Sequence, residues 1–211
     1  MNNPVIIIGV NPIGKAAFDI FIQNEILMYC FLDEDESLHG QELFDIAIMG
    51  SPKDDGFLKY IGKKCDAFVA FSDQKKRRKW VNLLEKRRKV LPKNAIHPKS
   101  SISQYARIGE GNFIDAGVYI GANTEVNNFC SIQPNASIAS DCHLEKYINI
   151  GANAAISERV TIGENALIGA GSIIMPGISI GAHAQVAPGS LVMQNVEDEQ
   201  TVFGSPAKVL G

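Results

Sequence analysis

Ser140-Asp141-Cys142-His143 puts a hydroxyl, a carboxylate, a thiol and an imidazole into four consecutive residues. A carboxylate that orients an imidazole makes a general base, as the third member of a catalytic triad does. A positioned imidazole typically supplies about 10²- to 10⁴-fold in a proton transfer. Ser140 cannot act as a base alone, because a hydroxyl ionises far above neutral pH. His143 is the only imidazole near Asp141, and it reads either as an exposed face residue or as a displaced proton acceptor. His39, His97 and His183 lie in other regions and read as structural or exposed. A second constellation lies near the start of the chain. Gly9 and Gly14 match the outer glycines of Gly-x-Gly-x-x-Gly, with Asn11 in the middle place and Asp33 near the distance of a ribose-binding acid. This segment reads either as a bare structural turn or as a turn whose amides cradle nucleotide phosphates.

Other chemistries are excluded by type and spacing. Cys30, Cys65, Cys130 and Cys142 form no Cys-x-x-Cys pair and no zinc-like spacing, so they read as buried, reduced thiols, and no metal site is expected. Nine Lys and Arg between Lys75 and Lys89 face a single acid, Glu85, inside a chain of net charge −3. A basic tract can signal nucleic acid, but Trp80, Val81, Leu83 and Leu84 lie between its two basic ends, as on a helix with one docked face and solvated flanks. With 45% apolar and 20% charged residues, 211 residues suffice for one ordinary domain or two small ones. No apolar run reaches the length of a membrane span, and Val5–Ile8 lacks the basic flank of an export signal. A cytoplasmic protein is expected, with no membrane insertion and no nucleic-acid partner.

The elements that must position these residues follow from periodicity. In steps of six from Ile96 to Val192, all 17 positions are Ile, Leu or Val. These types make up roughly a quarter of the chain, so chance would fill the series with probability on the order of 10⁻¹⁰. A period of six fits neither a continuous helix nor a simple alternating strand. It fits short flat strands joined by tight corners, one aliphatic residue per strand pointing inward: a parallel β-helix of five to six coils. Glycines serve where the backbone needs positive φ or close approach. The unbroken phase excludes a long loop between Ile96 and Val192. His143, directly before inward Leu144, therefore points outward.

The first half reads as a small, Rossmann-like α/β unit with a parallel sheet. Val5–Ile8 is a buried strand, followed by the Gly9–Gly14 turn, a helix from Lys15 to about Leu27, and a strand from Met28 to Leu32 ending at Asp33. Ala67–Phe71 is a third strand feeding the basic helix, with Ser72 just beyond its end. A ligand is expected at the carboxyl ends of these strands, with Gly9, Asn11, Gly14, Asp33 and Ser72 as candidate substrate-binding residues. The expected domains are 1–92 and 93–211.

The glycine turn Gly9-Val10-Asn11-Pro12-Ile13-Gly14, the strand end Phe31-Leu32-Asp33-Glu34, the hexads and the tail Gly204-Ser205-Pro206-Ala207-Lys208 resemble the NeuD/PglD family of sugar acyltransferases over nearly the whole chain. The resemblance implies a left-handed β-helix that forms a homotrimer. It also implies acetyl transfer from acetyl-CoA to an amine or hydroxyl of a sugar, often UDP-linked and held by the N-terminal domain. Three departures accompany it. Ser140 stands where the family's catalytic His is expected, ahead of Asp141-Cys142, which keep the family's pattern. Asn149 stands at the place of a second His near the acyl group, and Pro12-Ile13 replaces the Gly-His of the turn. On this reading Ser140, Asp141 and His143 form the catalytic end of an acyl-CoA groove, with Asn149, Gly151, Gly169 and Lys208 along the cofactor. The competing expectation is a trimeric relative that keeps nucleotide or scaffold binding without acyl transfer. A hexapeptide-repeat carbonic anhydrase is rejected because His97, His143 and His183 are too far apart. A nucleotidyltransferase is rejected because about 90 residues cannot hold its catalytic domain.

Overall fold

The computed structural model describes residues 3–210. The chain divides into two compact units, Met1–Pro98 and Lys99–Gly211. In the first unit, β1 (Val5–Ile8) is buried at every position and lies inside a sheet, with a strand on either side. It leads into α1 (Pro12–Gln23), β2 (Met28–Leu32), β3 (Glu42–Leu43), β4 (Ile46–Gly50), α2 (Asp55–Leu58), β5 (Asp66–Val69) and α3 (Gln74–Arg88). The strand order is β3-β4-β2-β1-β5, parallel except for β3, which runs antiparallel to β4. The crevice where strand order reverses therefore lies between the carboxyl ends of β1 and β5.

Three local differences from the sequence reading have physical causes. Helix α1 starts at Pro12 rather than Lys15, because Asn11 caps it and proline's fixed φ suits the first helical position. It ends at Gln23 instead of about Leu27. Strand β5 stops at Val69 because the next two carbonyls are taken by side chains: Ala70 O accepts from Asn11 Nδ2 and Phe71 O from Arg77 Nη1. The β3–β4 hairpin was not foreseen. Its turn residues Phe44 and Asp45 both have left-handed φ, 54° and 60°, which suits a hairpin, but neither is the glycine that announces such a turn. Helix α3 buries Trp80, Val81 and Leu84 as expected, and with them the aliphatic stem of Arg77.

The second unit is a left-handed parallel β-helix of hexapeptide repeats. From Ser101–Ile102 to Leu191–Val192 its strands are two residues long and stack into three parallel sheets. One face carries Ser137 and Ala155, the second Glu125 and His143, the third Ser131 and Asn149. From Ile114 to Val192 every inward hexad residue is buried. Ile102 and Ile108 are half-buried, since their coil has a neighbouring coil of this unit on one side only. Each buried aliphatic residue stabilises the fold by about 1.5–3 kcal/mol.

The corners repeat at the same period. Every sixth residue from Gly111 to Gly189 has φ near +60°, among them Asn123, Asp141, Asn153 and Arg159. Glycines directly after inward residues serve a different purpose. Gly151 lacks positive φ, but a Cβ there would lie 2.4 Å from Ala170 N of the next coil. The aliphatic phase ends at Val192 because the last coil is shorter. Val186 pairs with Val202, and Val196 bridges Ile180, a step of 16 residues in each case. Ala207–Val209 then pairs antiparallel with Thr201–Gly204 and covers that sheet's last edge.

Two substitutions separate the two kinds of glycine. Gly171, at φ +67°, has open space around its missing Cβ, so Gly171→Ala should cost only left-handed strain, about 1–2 kcal/mol. Gly151→Ala must push two coils apart. Urea denaturation should show the larger loss for Gly151→Ala, and equal midpoints would refute this account of the coil contact.

Candidate functional site

At the carboxyl rim of the first unit, the glycine turn is closed by its own side chains. Asn11 Oδ1 accepts from the N–H of Ile13 (3.0 Å) and Gly14 (3.2 Å), while its Nδ2 donates to Ala70 O (2.5 Å), bridging the ends of β1 and β5. Asp33 Oδ2 accepts from Val10 N–H at 2.6 Å, and its Oδ1 accepts from Asp35 N–H. Pro12 has no N–H to offer. Gly9 N–H donates to Leu32 O, so five of the turn's six amide positions are unavailable to an anion, which favours the structural-turn reading of Gly9–Gly14 over the phosphate cradle. Gly9 (φ +115°) is required because a Cβ there would meet Ala70 O at 2.7 Å. Ser72 lies beyond β5, on the loop into α3.

The same rim carries charge that sequence reasoning missed. Glu34 Oε1 sits 2.7 Å from Lys79 Nζ and 3.2 Å from Lys53 Nζ. The hydrogen bond from Lys79, with that from Lys53, holds the Glu34 carboxyl below its ordinary range. Only the fold brings β2, the loop after β4 and α3 together here, so the three residues share no sequence spacing that would have announced them.

In the second unit, Ser140 and Asp141 occupy a corner between the first and second faces. Asp141 is exposed, with φ +61°, and its Oδ1 accepts from Asn123 Nδ2 at 2.8 Å. Asn123 stands one coil, 18 residues, before Asp141, and a step of 18 along the sequence would have found it. Half-buried Ser140 lies against Gly121 of that coil. Among the described residues, the backbone N–H groups of Ala122, Ser140 and Glu158, stacked along this corner, donate to no neighbouring coil. That explains why Pro134, Pro176 and Pro188 are tolerated at the matching place of other hexads.

His143 is on the second face rather than at the corner. Its Nδ1 lies 3.3 Å from Glu125 Oε2 and its Nε2 3.1 Å from Glu145 Oε1, so both ring nitrogens face carboxylates. Arg107 pairs with Glu125 beyond it, completing a charged ladder across coils. Asn149 is on the third face, between Ser131 and Leu167. A single chain does not bring Asn149 together with Ser140 and Asp141. The N–H groups of Gly151 and Gly169 are spent on Ile168 O and Val186 O, so neither is a donor for a ligand. Lys208 is exposed on the closing strand, opposite Phe203.

The family model for bacterial transferase hexapeptide repeats matches residues 105–139 and 159–194, leaving out the stretch that holds Ser140, Asp141, His143 and Asn149. Solved structures match over nearly the whole chain. GDP-perosamine N-acetyltransferase from Caulobacter crescentus, solved with CoA and GDP-perosamine as a variant with one histidine replaced by alanine, is 28% identical, with TM-score 0.89 over 99% of this chain and 97% of that one. The chain carries bacterial transferase hexapeptide repeats and is similar to this enzyme over both of its units. The acetyltransferase domain of PglB from Neisseria gonorrhoeae, with acetyl coenzyme A, shares the fold at 22% identity and TM-score 0.89, both chains covered completely. WeeI from Acinetobacter baumannii shares it at 24% identity and TM-score 0.87, over 98% of this chain and 99% of that one. No curated protein matches the sequence significantly. Among the described residues no group of three or more His, Cys, Asp or Glu is placed for a metal, and no helix is long and apolar enough to cross a membrane.

All four cysteines are buried thiols outside any disulfide. Burial pushes the Cys142 thiol up, and burial with the nearby Cys65 takes Cys30 from 9.0 to about 12. None of the four should react with a disulfide reagent in the folded protein at pH 8, and all four should react in denaturant. A fast-reacting thiol in the native state would contradict this. From about pH 9 upward the unfolded chain gives up the Cys30 proton that the folded chain keeps until about 12, so this contribution to stability is lost as pH rises through that window.

Proposed function

We propose that the chain transfers an acetyl group from acetyl-CoA to an amine or hydroxyl of a sugar carried on a nucleoside diphosphate. The observation that carries this reading is the likeness to the Caulobacter enzyme, at 28% identity over both units, whose structure holds CoA and a nucleotide sugar. That relative's guanosine diphosphate and the uridine diphosphate expected from the family resemblance are alternative acceptor carriers. The first unit takes the nucleotide at its carboxyl rim, with Gly9, Asn11, Gly14, Asp33 and Ser72 around it. The second unit carries the transfer.

In the reaction the acceptor nitrogen or oxygen bonds to the thioester carbonyl carbon, the carbon–sulfur bond breaks, and the acceptor's proton ends on the CoA sulfur. Asp141, steadied by Asn123, is placed to receive that proton or to hold the acceptor amine. The unspent N–H groups of Ser140 and Glu158 supply donors for the developing oxyanion. CoA runs along the coils past Asn149, Gly151 and Gly169, with Lys208 as a point-charge partner for its phosphates. Asn149 and Ser140 stand on different sides of the β-helix, so a site using both takes one from each of two copies. This supports association of copies, the homotrimer being what the family resemblance implies, and the cytoplasm is the compartment proposed for it. A second reading, a relative that binds without transferring, draws on Ser140, which leaves Asp141 without an imidazole to orient.

Steady-state rates with acetyl-CoA and a panel of amino sugars, free and nucleotide-linked, decide among these roles. Ser140→His should raise the rate at least about 10²-fold, the worth of a general base beside its orienting carboxylate. His143→Ala should change it little, because its ring is committed to Glu125 and Glu145. Robust activity that His143→Ala abolishes would make His143 the base. Loss of CoA binding in calorimetry would favour the second reading.

A further inference from the structure

We propose that Lys53 and Lys79, gathered by Glu34, bind the diphosphate of the nucleotide sugar, in place of the glycine-turn amides. This rests on the reading that the first unit takes a nucleotide-linked acceptor. A ligand of a parallel α/β sheet lies outside the strands' carboxyl ends, and its phosphates need donors or positive charge there. The turn supplies little of either. Val10 N–H is held by Asp33, Ile13 and Gly14 N–H by Asn11, and Pro12 has none.

The charge is found one strand away. Lys53 and Lys79 come from segments that follow β4 and β5, and both reach the same carboxylate oxygen of Glu34, at 3.2 and 2.7 Å. Their ammonium groups are therefore no farther apart than those two distances end to end, a spacing that suits two linked phosphates. One carboxylate against two ammonium groups leaves the cluster positive. Both lysines stand on fixed backbone. Lys79 is in α3, its ammonium 4.7 Å from the centre of the Trp80 ring. Lys53 donates its N–H to Ser51 Oγ and accepts from Arg87 Nη1 at its carbonyl, each at 3.3 Å. Glu34 directly follows Asp33, which closes the turn, so the pair stands at the mouth of the same rim.

The test is calorimetric titration of the full-length protein with inorganic pyrophosphate, UDP, GDP, uridine and guanosine. Emission of Trp80, the sole tryptophan, serves as a second readout. Pyrophosphate and the preferred nucleoside diphosphate should bind, with affinity falling as salt is raised, since exposed charges are screened. Lys53→Gln and Lys79→Gln should each weaken that binding about tenfold, as expected for losing one charge-assisted contact. Lys53→Gln does not touch Trp80 and so keeps the optical signal interpretable. Unchanged diphosphate affinity in both variants overturns the proposal, as does failure of pyrophosphate and both diphosphates to bind. Acetyl transfer to free amino sugars is measured beside it. Transfer that persists while the lysine variants bind nucleotide normally sinks only this inference. Lysine-dependent diphosphate binding without transfer to any acceptor sinks only the transferase reading.

Discussion

The β-helix depends on register. With 18 residues per coil, each residue sits directly above its equivalent, and the stacked inward aliphatics bury one another. The same register that builds the core also builds the site, because it stacks polar residues along corners and faces. Asn123 meets Asp141, and Glu125 meets His143, only because each pair is one full coil apart. A slip of one residue would turn the aliphatics outward and break these polar ladders at once.

The corners show how a repeat can be strict in geometry and loose in sequence. A left-handed corner is easiest for glycine and tolerable for Asn or Asp, yet Phe129, Tyr147 and Arg159 also adopt it. Neighbours support some of this strain: the tilted rings of Phe129 and Tyr147 pack 4.9 Å apart between centres, one coil apart. Position in the hexad thus dictates backbone conformation more strongly than residue type. The amide left unspent at the preceding corner place is a by-product of this geometry. At Ser140 and Glu158 it is the donor we propose for the oxyanion.

The N-terminal unit shows the opposite economy, in which one side chain serves several backbone groups. Asn11 caps α1 with its oxygen and ties β1 to β5 with its nitrogen, and Asp33 closes the other side of the same turn. The glycine pattern is real and its glycines are sterically required, but the pattern does not by itself leave amides open to a phosphate. The charge that we propose in its place stands on Lys53, after β4, and Lys79, in α3.

The sequence alone determined the β-helix, its inward column, the parallel α/β unit ahead of it and the docked face of the basic helix. Each is written in a local period or in a contiguous apolar run, and local signals survive without knowledge of the partner. It also brought Ser140, Asp141 and His143 forward, by adjacency. What it could not decide was which of them meet. Corner, face and opposite face are assigned by the coil's path, and that path puts His143 between two glutamates and Asn149 on another side from Ser140. The β3–β4 hairpin escaped because Phe44 and Asp45 adopt a conformation that their types do not advertise, and the Lys53–Glu34–Lys79 cluster because its members come from three separate segments. Contacts between distant segments depend on how the sheet is ordered, and sheet order is a tertiary property that no single stretch of residues encodes.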